Sequence, residues 1–108
     1  MTGTGNHPLQ GRWRIVEADI WDRAFLDLVE PAHIVFAANG RGEFALAAVQ
    51  GGMESEYAPA TIFFTWEGFD EMGEANGSGS AELLDDGTLK IELSFHLGDE
   101  AVLKATRQ

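Results

Sequence analysis

Leu89-Lys90-Ile91-Glu92-Leu93-Ser94-Phe95-His96 alternates apolar and polar side chains without a break. A period of two sends Leu89, Ile91, Leu93 and Phe95 to one face of an extended chain and the four polar residues to the other. Such a strand holds its own register, because a slip of one residue would turn every apolar group toward water. The same period recurs outward from it. Downstream, Leu97-Gly98-Asp99-Glu100 turns the chain, and Ala101 to Arg107 returns it. Upstream, Thr61-Ile62-Phe63-Phe64-Thr65-Trp66-Glu67 places Ile62, Phe64 and Trp66 together and leaves Phe63 outward. Arg12 to Glu17, His33 to Ala37 and Glu43 to Val49 repeat the pattern. Asn39-Gly40 and Asp85-Asp86-Gly87 supply tight turns between them, the first as a type I′ hairpin turn, which needs positive φ. Gly51-Gly52 reads as a break before a short strand, Met53 to Tyr57, and residues 70–80 read as a polar, glycine-rich loop.

One segment departs from this period. Phe25, Leu26 and Val29 fall on one helical face, which predicts a two-turn helix over 22–30. Asp22 serves as its N-cap, Trp21 and Leu26 form a hydrophobic staple, and Pro31 ends it. The expected fold is mainly β: a small antiparallel meander or barrel of seven or eight strands, with one short helix after strand 1. Closure into a barrel removes the edges through which open sheets aggregate. Residues 10–108 form the single domain, and 1–9 a flexible N-terminal tail.

Of the 108 residues 44% are apolar, enough for a core, and none is cysteine, which removes disulfides, thiolate metal sites and thiol nucleophiles. The N-terminus lacks an apolar run behind a basic start, and no stretch approaches a membrane span, so a cytoplasmic protein is expected. Net charge is −11 and unevenly placed. Residues 42–100 carry thirteen acids against Lys90 alone. That field repels phosphate backbones, so nucleic acid is not an expected partner.

No motif with a mechanism stands out. Glu67-Gly68-Phe69-Asp70-Glu71-Met72-Gly73-Glu74 is the densest acidic stretch. A calcium loop starting at Asp70 would put Met72 at its third position and Ala75 where glycine is required, so it is not an EF-hand. Glu67, Asp70, Glu71 and Glu74 are read instead as an interaction loop. His7, His33 and His96 make no paired metal spacing, and Ser78-Gly79-Ser80 does not match G-x-S-x-G. No catalytic residue, metal or cofactor is assigned.

Two resemblances enter on particular residues. Gly11-Arg12-Trp13 on the first strand, with Arg107 on the last, resembles the G-x-W pattern of calycins, the lipocalin and fatty-acid-binding barrels. The resemblance implies that Trp13 plugs one barrel end with Arg107 over its ring, a cation–π contact of about 0.5–2 kcal/mol. Gly11 to Glu17, Trp21-Asp22, Asp27-Leu28, Gly42-Glu43-Phe44, Trp66-Glu67-Gly68, Asp70-Glu71-Met72 and the Phe95 to Asp99 turn together resemble a family of small bacterial proteins with no assigned activity.

Two functions are expected to compete. The first is an acidic, non-catalytic interaction or regulatory module that binds a basic protein partner through residues 42–100. The second is a calycin-like barrel holding a small apolar ligand among Trp13, Phe36, Phe44, Phe64, Trp66 and Phe95, although so short a barrel is largely filled by its own side chains. Phe63, outward on its strand, is a candidate homodimer contact.

Overall fold

A computed structural model describes residues 9–37, 39–71 and 73–108. Eight strands run up and down in chain order: β1 (Gly11–Ala18), β2 (His33–Phe36), β3 (Arg41–Leu46), β4 (Val49–Tyr57), β5 (Thr61–Asp70), β6 (Gly73–Leu83), β7 (Leu89–Phe95) and β8 (Glu100–Arg107). Each pairs antiparallel with the next, and β8 returns to β1, so the sheet closes into a barrel. The alternation that predicted strands also sets what faces inward. Leu89, Ile91 and Leu93 of β7 are buried, as are Ala101, Leu103 and Ala105 of β8. Ile62, Phe64 and Trp66 of β5 meet them from across the barrel, while Phe63 stays 56% exposed outside.

Two stretches of chain are more regular than their composition suggests. β4 runs unbroken through Gly51-Gly52, and the segment expected as a loop over 70–80 forms most of β6. The cause is steric. Gly77 and Gly79 of β6 lie opposite Trp66 and Phe64 of β5. A Cβ at Gly79 would come within 2.5 Å of the Phe64 ring, and one at Gly77 within 2.8 Å of the Trp66 indole nitrogen. The glycines therefore make room for aromatic rings that bulk would exclude, and they sit in a paired strand.

The helix is shorter than expected. α1 spans Arg23–Leu26, a single turn. Asp22 caps it as read, its carboxylate accepting the Phe25 N–H at 2.8 Å. It stops because Asp27 is committed elsewhere: its carboxylate accepts the Ala32 N–H at 2.9 Å and takes a bidentate grip from Arg14 at 2.8 and 2.6 Å. That anchor draws the chain back to the β1–β2 junction well before Pro31. Leu26 alone of the expected apolar face is buried; Phe25 and Val29 are exposed. Trp21 rests on Phe25 and Phe95.

A meander puts its connections at alternating ends. The β2–β3, β4–β5 and β6–β7 turns share one end with the chain entering β1. This end is sealed. Trp13 is buried and donates its indole N–H to the Leu9 carbonyl at 3.0 Å. The Arg107 guanidinium lies 4.1 Å from the centre of the Trp13 ring and donates to the Gln10 carbonyl. The plug implied by the calycin pattern is therefore present, and Leu9, grouped with the tail on sequence grounds, is fully buried within it. The rest of that tail, residues 1–8, lies outside the described residues. Tyr57 donates its hydroxyl to the Ala37 carbonyl at the same end, and burial pushes its pKa up.

Candidate functional site

The other end of the barrel collects the β1–β2, β3–β4, β5–β6 and β7–β8 connections. They touch at a few points, Trp21 against Phe95 among them. Between them lies a cavity of about 540 Å³, open to solvent. This volume is in the range of small-molecule sites.

Its aromatic wall is an extension of the core. Phe44 stands edge-on to Trp66 at 5.2 Å, and Trp66 edge-on to Phe95 at 5.3 Å. Phe95 in turn meets Trp21 at 6.2 Å and 86°, and Trp21 leans on Phe25 at 6.1 Å and 39°. The first two rings of this file are buried; Phe95, Trp21 and Phe25 line the cavity. Each ring braces the next at an angle, an arrangement favourable to the aromatic quadrupole. Exposure rises toward its outer end, where Trp21 and Phe95 are partly buried and Phe25 is 39% exposed.

Local chemistry holds the lid bearing Trp21 and Phe25. The Leu26 carbonyl accepts the Ala47 N–H at 2.7 Å, tying α1 to the β3–β4 turn. Arg14 also donates to the Ala32 carbonyl at 3.0 Å, so one guanidinium joins β1, α1 and the entry to β2. The same grip holds the Asp27 carboxyl at about 2, well below the usual carboxylate range, with the Ala32 N–H adding to the effect. Beside this lid His33 is buried, its Nδ1 3.0 Å from the Pro31 carbonyl.

The polar rim has one sign. Asp70, Glu71, Glu74 and Asp99 line the cavity with His96 and Asn76, and among the described residues no lysine or arginine does. Among the described residues Glu71, Glu74 and Asp99 form no ion pair. Nor do any three His, Asp or Glu side chains among the described residues converge closely enough to hold a metal ion. The carboxylates ring the opening instead of meeting at a point. Such a rim suits a large, diffuse positive charge, since a metal ion needs donors at about 2.0–2.6 Å.

The positions singled out in the sequence divide between these environments. Of the six aromatic candidates Phe95 lines the cavity, whereas Trp13, Phe36, Phe44, Phe64 and Trp66 are packed inside the barrel, none more than 4% exposed. Three of the four acids read as an interaction loop, Asp70, Glu71 and Glu74, lie on the rim; Glu67 faces outward on the wall. Sequence reading missed Trp21, Phe25, His96 and Asp99 as partners of those acids. The signal was available in the parity of the meander, which sends every odd-numbered connection to one end.

Taken together, a closed eight-stranded antiparallel meander with a Trp–Arg end plug is a calycin-like architecture, here with a packed interior and an open, acidic mouth. The chain matches no protein-family model and no curated protein sequence. Among the described residues no helix is long and apolar enough to cross a membrane.

Proposed function

We propose that this is a non-catalytic binding module that receives a positively charged guest at the open end of its barrel. One observation carries the reading: four connections converge on a single cavity whose lining, among the described residues, holds four carboxylates and no lysine or arginine. The packed interior favours this mouth over the barrel lumen as the seat of a guest, and the acidic surplus of residues 42–100 supplies long-range attraction for a cation. The cysteine-free composition suits the cytoplasm. Membership of the small bacterial family resembled by the Gly11–Glu17 and Trp66–Met72 motifs is part of the same proposal.

Fluorescence anisotropy of a labelled oligolysine tests the reading at low and moderate salt. Neutralising the rim with Glu71→Gln, Glu74→Gln and Asp99→Asn removes three charges. Neutralising the wall with Glu54→Gln, Glu56→Gln and Glu82→Gln removes the same number. The rim variant is expected to lose at least about tenfold in affinity and the wall variant less than about twofold, each charge-assisted contact being worth about 1 kcal/mol or more when partly desolvated. Equal losses would reduce the mouth to one part of a general acidic surface, and the proposal would fail.

A separate proposal concerns self-association. Phe63 is 56% exposed on the outer wall of β5 and is the candidate homodimer contact. Sedimentation of the Phe63→Ser variant beside the parent checks it: a dimer that becomes a monomer is the expected result.

A further inference from the structure

We infer that the mouth selects an alkylated ammonium group, the head of a small tertiary or quaternary amine, in preference to a bare ammonium. The inference rests on the proposed function and narrows it from positive charge to a chemical class.

The aromatic wall of the cavity, more than its carboxylates, carries this inference. Trp21 and Phe95 meet nearly perpendicular, at 86°, and Trp21 continues into Phe25, so a guest entering the mouth encounters ring surfaces in more than one orientation. A methylated ammonium spreads its charge over its methyl groups and sheds water more readily than a bare ammonium. It can therefore press against a ring face and gain both apolar burial and cation–π attraction. A bare ammonium keeps three strong donors that need acceptors at short range. The carboxylates most exposed to the mouth stand around its edge and do not converge, so they offer long-range field more than a three-point cradle. The geometry thus favours the soft cation. It disfavours neutral apolar guests as well, because such a guest gains nothing from the negative field of Glu71, Glu74 and Asp99. The cavity, about 540 Å³, exceeds the needs of the head group alone and leaves room for a short substituent beyond it.

Titration calorimetry on the full chain tests the inference with three probes that share a hydroxyethyl chain: choline, ethanolamine and choline's neutral isostere 3,3-dimethylbutan-1-ol. Choline is expected to bind at least about tenfold more tightly than either of the others. Trp21→Leu, which keeps an apolar side chain before the cap, is expected to weaken choline about tenfold while leaving ethanolamine within about twofold. Phe95→Leu provides the same reading should Trp21→Leu disturb the lid. Choline and ethanolamine binding equally would overturn the inference yet leave the cation-binding function standing. The neutral alcohol matching choline, or no cation binding at all, would overturn both. A second comparison separates free amines from protein-borne ones: a trimethyllysine peptide that outbinds choline by more than about tenfold would place the natural group on a protein chain and overturn the small-amine assignment.

Discussion

The two ends of this barrel are built from the same strands and have opposite characters. At the sealed end Trp13, Leu9 and Arg107 close the core, and the β2–β3 and β6–β7 turns place glycine where the backbone is left-handed, Gly40 at φ +81° and Gly87 at φ +86°. At the open end the corresponding turns put Ala47 at φ +51° and Leu97 at φ +57°, conformations that cost a residue with a Cβ about 1 kcal/mol or more. Among the described residues these are the non-glycine positions with positive φ, and both lie in turns at the open end, Ala47 on the cavity wall itself. Strain of this kind gathers where a surface is shaped for a partner and not for stability alone. The comparison places the plugged core at one end, and under the proposed function the other end is left for recognition.

The sharpest way to break that division is to truncate a tryptophan at each end. Trp13→Ala should cost about 3–5 kcal/mol, read by urea unfolding, because it opens a large cavity and removes the ring beneath Arg107. Trp21→Ala, whose side chain is only partly buried, should cost about 1 kcal/mol or less. Equal costs would mean that the mouth is as much a part of the stabilising core as the plug.

Acid provides the next test, on the clasp that holds the lid. Asp27 has its pKa lowered to about 2 by Arg14 and the Ala32 N–H. A depressed carboxyl contributes stability that is fully present above its unfolded value, near 4, and is lost as pH falls through about 2. Partial solvent exposure of the pair reduces the expected contribution to about 1–2 kcal/mol. The stability of Asp27→Asn, followed from pH 5 to pH 2 by urea unfolding, should fall less steeply than that of the parent. Parallel curves would show the clasp to be energetically idle.

Smaller effects are expected from the turns, and their signs should oppose. Leu97→Gly should stabilise by about 0.5–1 kcal/mol, since the relief of left-handed strain exceeds the entropy that glycine adds to the unfolded chain. Gly87→Ala should destabilise by about 1 kcal/mol although a Cβ there meets nothing within 4 Å, which makes it a test of φ alone. Thermal unfolding resolves both. Loss of stability in Leu97→Gly would remove strain from the account of the mouth.

Much of the barrel was legible because its strands obey a strict period. Leu89 to Phe95 and Ala101 to Arg107 declare their inward faces in the sequence, and Trp13 with Arg107 declares the closure. The glycine-rich stretch within β6 was misread, because the reason for Gly77 and Gly79 lies on the flanking strands, in the rings of Trp66 and Phe64 on one side and the Ser94 and Glu92 carbonyls of β7 on the other. The end of α1 was misread for a similar cause: Arg14, thirteen residues before Asp27, takes the side chain that a longer helix would have left in solvent. The acids of the mouth were visible as a cluster, but their aromatic companions were not. Trp21, Phe25 and Phe95 come from segments distant in sequence, and only strand order brings them to one opening.

Three tryptophans report separately on this arrangement: Trp13 in the plug, Trp66 in the core and Trp21 at the mouth. Their indole N–H signals in a nitrogen-15 correlation spectrum, followed while tetramethylammonium is added, test the central claim directly. The account predicts that the Trp21 signal moves and saturates together with backbone amides at 47–49, 70–71, 74–76 and 95–99, while the Trp13 signal stays still. Movement of Trp13, or small unsaturating shifts spread over the outer wall, would contradict it.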